Sequence, residues 1–184
     1  MVALGALWLP ILVSAVFVFI ASSIVWMLLP HHRNDWSPLP GEAGVLDAMR
    51  KAGVGRGQYR FPWCDPRDKS PETAKKLEEG PMGTTIVWPT GKMNMGKMLG
   101  TWFVYLVIVS ACVAYLTGHV LPTGASYRTV FRLAGGIAML GYAAANVPNA
   151  IWMGKSWSST IKDVIDAAVY GLLTAGVFGW LWPR

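Results

Sequence analysis

Apolar positions in this chain do not alternate with polar ones; they run on in four long stretches, Val2–Leu29, Met98–Leu121, Thr129–Met153 and Ile161–Trp182. Crossing about 30 Å of hydrocarbon takes about 20 helical residues at about 1.5 Å each, so every stretch is long enough. The pattern predicts an all-α membrane protein with four transmembrane helices. Residues 1–29 form the first, residues 30–96 a mostly helical polar connector, and residues 97–184 a three-helix membrane region. Met1–Gly5 carry no Lys or Arg, and the run that follows exceeds the apolar core of a secretory signal. The first stretch is therefore expected to be a retained anchor, although Ala21-Ser22-Ser23 resembles a small-residue cleavage site.

The polar connector has a pattern of its own. Over Glu42–Ala52, Val45, Leu46 and Met49 share one helical face, Asp47 and Lys51 pair one turn apart, and Gly53 suits the position after the last turn. Ser70-Pro71-Glu72 reads as an N-cap, a proline at the first helical position and an acid near the positive end of the helix dipole. That helix should run through Glu79 and stop at Gly80-Pro81. Between the two helices and after them, Gln58–Phe61 and Thr84–Trp88 are short extended candidates, each ended by a proline. A segment with so few large apolar side chains is marginal as an independent domain. It is expected to lean on the membrane bundle or on a partner protein.

Small residues mark where helices approach. Ala167, Gly171, Ala175 and Gly179 recur every four residues along the fourth stretch, and Ala134, Ala138, Gly141 and Ala145 offer a matching stripe on the third. Lipid tails are as apolar as leucine, so membrane helices associate through close van der Waals contact that small residues permit. The last two helices should pack as a hairpin. The alternative is that Gly and Ala are simply common in such helices.

Charge sets an expected orientation. Charged residues are 14% of the chain, against about 25% in soluble domains. Of 16 Lys and Arg, 11 lie between Arg33 and Lys97. The net charge of +6 therefore belongs mainly to one connector, and no basic stripe with interleaved aromatics points to nucleic acid. Cytoplasmic loops carry the excess of Lys and Arg, so the connector is expected in the cytoplasm and both termini on the outer side of the membrane. Arg128, Arg132 and Arg184 oppose this, and Arg132 is explained by snorkelling to the outer interface. Trp8, Trp26, Trp102, Trp152, Trp157, Trp180 and Trp182 fall near stretch ends, where an amphipathic ring prefers the headgroup zone. Trp36, Trp63 and Trp88 of the connector suggest contact with the membrane surface.

Candidate chemistry is sparse. Asp163 and Asp166 stand at membrane depth near the inner end of the last stretch, where ionisable residues are functional candidates. In a hairpin turning near Lys155, Asp166 should lie level with Asn146 and Lys162 level with Asn149, with Tyr170 one turn above. Such a cluster could hold a proton, a cation or a polar headgroup, or Asp166 could simply hydrogen-bond Asn146. Met93, Met95 and Met98, with Met82 nearby, are soft thioether ligands of the kind that bind Cu(I), and His31 and His32 fall on the same side. Met is also ordinary apolar filler. Cys64 and Cys112 form no disulfide or metal framework. Gly53-Val54-Gly55-Arg56-Gly57 lacks the Lys-Ser/Thr of a P-loop. No catalytic set is complete and no cofactor signature occurs.

Leu29-Pro30-His31-His32-Arg33-Asn34-Asp35-Trp36 and Leu173–Arg184 resemble an uncharacterised family of small bacterial four-span integral membrane proteins. The resemblance implies bacterial origin and the span pattern, and no catalytic residue. The expected role is a non-enzymatic accessory or assembly subunit of a larger membrane complex. Its partners would be the lipid bilayer and other membrane subunits or further copies of itself. The alternatives are a small oligomeric transporter or channel subunit using Asp166, Asn146 and Tyr170, and a Met-rich Cu(I)-handling protein.

Overall fold

Long helices are what the apolar stretches become in the computed structural model, which describes residues 1–184. In chain order the elements are a 3₁₀ turn at Leu4–Leu7, α1 (Trp8–Met27), a 3₁₀ turn at Pro30–His32, α2 (Glu42–Lys51), β1 (Gly57–Phe61), α3 (Pro71–Glu79), β2 (Gly83–Val87), α4 (Met95–Val120), α5 (Tyr127–Ala143), α6 (Asn146–Met153) and α7 (Trp157–Trp180). Three helical segments are long and apolar enough to cross a membrane: Leu4–Met27, Met95–Val120 and Tyr127–Met153. The protein is membrane-embedded. The 24-residue α7 is set apart from those three, and its first half carries Lys162, Asp163 and Asp166.

Local chemistry sets the helix ends. Asn94, Ser126 and Ser156 cap α4, α5 and α7 by accepting the backbone N–H of Lys97, Thr129 and Ser159, donors that would otherwise be unpaired in the first turn. The expected third helix is interrupted at Ala144 and Ala145. Pro148 supplies the reason: it lacks an N–H, and its ring crowds the carbonyl of Ala144 four residues back. Gly124 and Gly154 turn the chain with φ of 73° and 74°, a region open to glycine at little cost.

Met1–Asp35, Asn94–Ala150 and Lys155–Arg184 form one compact unit. Within it α1, α4, α5 and α7 are neighbours in that cyclic order around a bundle. The Val2 N–H donates to the Gly118 carbonyl at 2.7 Å, and Trp182 Nε1–H donates to the Pro122 carbonyl at 3.0 Å. These bonds gather the start of α1 with the ends of α4 and α7. The bundle's inside is smaller and more polar than its outside. Ser14 and Ser110 meet at 3.0 Å between α1 and α4, Trp102 Nε1–H donates to Ser22 Oγ at 3.0 Å, and Thr117 and Thr174 are fully buried. Leu9, Leu12, Val16, Phe17, Ile20 and Ile24 of α1 are exposed, as they are where lipid rather than water is the solvent.

The α5–α7 seam is the tightest contact. A Cβ on Gly171 would lie 3.2 Å from the Met139 backbone, one on Gly135 would lie 2.9 Å from Ala175 Cβ, and one on Gly179 would lie 2.7 Å from the Tyr127 ring. Gly171, Ala175 and Gly179 of the α7 stripe thus lie where close packing requires them, and Ala167 is buried in the bundle. The α5 stripe is one residue away from the expected one. Tyr127, Gly135 and Met139 meet α7, while Ala134 and Ala138 are buried in the bundle core. Gly141 faces Val109 of α4 instead. It lies two residues beyond Met139, which is about 200° further round the helix. Ala145 lies in the interruption and lines a cavity.

Trp36–Met93, with Ile151–Gly154, forms the other unit. Helices α2 and α3 fall where the capping signals put them, but the connector is not mostly helical. β1 and β2 pair antiparallel, Gly57 opposite Val87 and Phe61 opposite Gly83. The β-branched run Thr84-Thr85-Ile86-Val87 favours extended chain, and prolines at 62 and 89 close both strands. At Gly83 a Cβ would come within 2.9 Å of the Phe61 ring. Asp68 accepts from Ser70 N–H at 2.9 Å and Thr73 Oγ1–H at 2.7 Å, locking the entry to α3.

Gly171→Val should lower stability by about 1–3 kcal/mol through overpacking of the seam. Gly136→Ala, with nothing within 4 Å, should be neutral or stabilising by up to about 1 kcal/mol. Thermal unfolding in detergent micelles, followed by circular dichroism, distinguishes them, and equal effects would refute the seam.

Candidate functional site

At the end of the bundle where α1 stops, a run of charged side chains is buried. The chain leaves α1 at Met27 and turns through Pro30–His32, which brings His31, His32 and Asp35 over the first turns of α7. His32 Nε2 lies 2.8 Å from an oxygen of Asp166, and its Nδ1 lies 2.6 Å from an oxygen of Asp35. Lys162 Nζ–H donates to the other Asp35 oxygen at 2.6 Å. His31 Nε2 stands 3.5 Å from the second oxygen of Asp166. Alongside, Lys155 pairs with Asp163. The His32, Asp35 and Asp166 side chains are each less than 10% exposed.

Each group has a reason to be held. Trp26, on the last turn of α1, lies flat on the His32 ring with centroids 3.9 Å apart and planes 6° apart; an indole face favours a cationic ring. Burial alone would lower the His32 pKa, but hydrogen bonds to Asp35 and Asp166 outweigh it and raise the value above the usual 6.5. With carboxylates on both ring nitrogens, His32 as imidazolium donates to both. Asp35 is held down at about 2, first by its hydrogen bond from Lys162 and also by His32, against the opposing effect of burial. The network alternates in sign: Lys162, Asp35, His32, Asp166.

Asp166 also borders a cavity of about 280 Å³, with Asn146, Tyr142, Tyr170 and Asp163 among its walls. Tyr142 and Tyr170 meet edge to face at 5.7 Å. Their hydroxyls are buried and neither makes a hydrogen bond to the protein. Leaving such a group unsatisfied costs about 1–3 kcal/mol.

The sequence-derived candidates separate into two groups. Asp166, Asn146, Tyr170 and Asp163 share this cavity, although the Asn146 amide donates to the Tyr142 carbonyl at 3.2 Å rather than to Asp166. Asn149 is not a wall of it; the residue is exposed, and its carbonyl accepts the Lys155 N–H at 3.2 Å. His31 and His32 join Asp166, not a methionine cluster. Met95 and Met98 are exposed on the first turn of α4, and Met82 and Met93 are exposed in the connector unit. Asp35, Lys162 and Trp26 join the site only in the folded bundle. The sequence carries a signal for the first two, since the polar run His31–Asp35 and the run Lys162–Asp166 both fall on the inner side by the charge pattern.

Asp35→Ala would leave Lys162 and His32 without their shared carboxylate. Removing one partner of a buried ion pair costs about 3 kcal/mol or more. Thermal unfolding in micelles should show a clear drop, while a change within about 0.5 kcal/mol, typical of a surface site, would mean that the network does not hold this end together.

Comparison of the chain with protein-family models, curated proteins and solved structures found no match, so functional reading rests on its own geometry.

Proposed function

We propose that this protein is a non-enzymatic, four-span protein of the bacterial inner membrane that serves as an accessory or assembly subunit of a larger membrane complex. The fourth span is α7. Ile161, Ile165, Val169 and Leu172 are exposed along one side of it, as lipid-facing residues would be, while Asp166, Tyr170 and Thr174 are buried in the bundle. The excess of Lys and Arg supports a topology with residues 30–96 in the cytoplasm and both termini in the periplasm.

One observation carries the docking role. In the whole connector unit only Thr73 is buried, yet the unit has two helices and a paired sheet. Trp36 is 84% exposed, Trp63 82% and Ile86 67%. Ordered chain without a buried apolar side chain has too little core to hold itself, and exposed aromatic surface marks an interaction site.

A second reading, a small oligomeric transporter or channel subunit, draws on the cavity beside Asp166. It requires Asp166→Asn to abolish flux in reconstituted vesicles while the bundle stays folded.

Two measurements test the first reading. Lys75→Cys in a Cys64→Ser, Cys112→Ser background should react with a membrane-impermeant maleimide only after the inner membrane is opened; labelling of intact spheroplasts would reverse the topology. A photo-crosslinking residue at Trp36 or Trp63 should capture the same membrane protein reproducibly in cells, whereas one at the lipid-facing Ile165 should not. A chain that crosslinks to nothing from any connector position and purifies alone in mild detergent is no such subunit.

A further inference from the structure

We infer that His31, His32 and Asp166 form a binding site for one divalent transition-metal ion at the end of the bundle where α1 gives way to α7. The inference is independent of the docking role. One ligating atom from each residue lies within 4.8 Å of the other two. An ion of zinc-like radius sits about 2.0–2.2 Å from imidazole nitrogen and carboxylate oxygen, so the 2.8 Å His32–Asp166 hydrogen bond must open slightly to admit it and the third ligand must make a small closure. His31 can supply it, since its only polar contact is the 3.5 Å approach to Asp166 and its side chain is 32% exposed. Two imidazoles and a carboxylate suit Zn²⁺, Fe²⁺, Co²⁺ or Mn²⁺. The set is too rich in nitrogen for Mg²⁺ or Ca²⁺ and lacks the sulfur that selects Cu(I).

Three further features are those of a ligand set rather than of a chance cluster. The first is the Asp35 carboxylate, 2.6 Å from His32 Nδ1, which points Nε2 at Asp166. Metal-ligating histidines almost always donate their other N–H in this way, which fixes the tautomer and raises ligand basicity. Asp35 is in turn held by Lys162 at 2.6 Å, and the His32 ring is clamped against Trp26. The second is the cavity, which borders Asp166, the carboxylate ligand of the set. The third is Tyr170 on the same wall, 5% exposed, with a hydroxyl that no protein group satisfies. On metal binding the Nε2 nitrogen of His32 exchanges its proton for the ion, and the proton leaves to solvent.

The test uses the full chain without an affinity tag, in mild detergent, stripped with chelator and titrated with Zn²⁺ by calorimetry. Co²⁺ serves as a spectroscopic probe of coordination. The expected result is saturation at one equivalent per chain. His31→Ala should weaken binding by at least about 100-fold, since even residues behind the ligands are worth about 10–100-fold. Its helix content should be unchanged, because His31 is only a peripheral contact of the fold. His119→Ala, at the other end of the bundle, should bind like wild type. Asp166→Asn adds a second ligand test if it folds, and His31→Ala decides the matter if it does not. An N,N,O site binds Zn²⁺ at least as well as Mn²⁺ or Fe²⁺, so the absence of saturable zinc binding would overturn the proposal. Equal affinity of wild type and His31→Ala would also overturn it.

Discussion

A carboxylate buried in an apolar bundle must be answered by its own chain, and Asp166 imposes that demand here. Lipid offers no compensating hydrogen bonds, and uncompensated charge in low dielectric is costly. His32 meets Asp166 directly, Asp35 balances His32, and Lys162 balances Asp35. Because Lys162 and Asp166 stand one turn apart on α7 while His32 and Asp35 follow α1, the network is also a clasp between these two helices. It fixes how the chain leaves α1 before the connector begins.

The rest of the bundle is held by closeness rather than by greasiness. Many large apolar side chains point outward, and alanine, glycine, serine and threonine share the inside with Leu7, Leu106, Phe178 and several valines. Lipid removes the hydrophobic drive for helices to meet, so dispersion at short range and a few interhelical hydrogen bonds take its place. The Gly135–Ala175 and Gly171–Met139 contacts supply the first, and the Ser14–Ser110 and Trp102–Ser22 contacts the second. A bundle tightly packed on one side, with a cavity at one end that Asp163 and Asp166 border, is suited to placing a small number of polar side chains with little freedom.

The connector unit is built on different physics. Its helices and strands are specified locally, by a serine cap, a proline, a carboxylate that brackets α3 and a β-branched run. Local signals give it form without giving it a core. Such a unit is suited to resting on something else, which is why its composition motivates the proposed docking role.

Helix existence and extent were legible in the sequence because they depend on properties that add up along the chain: hydropathy over about 20 residues, and capping residues within one turn. The small-residue stripe of α7 was legible for the same reason, since period four is a local property. The facing register on α5 was not, because a one-residue shift moves a side chain by about 100° and only the partner helix selects among the choices. Nor could length and hydropathy show that the third helix breaks before Pro148. The strands were visible as extended segments, but their pairing across α3 required the fold. The site shows the division most clearly. His31, His32 and Asp166 each stood out as unusual residues, 134 positions separating His32 from Asp166, and were assigned to separate candidates. Only the folded bundle makes them neighbours, because contact between distant residues is set by how whole helices pack, a quantity that no local pattern carries.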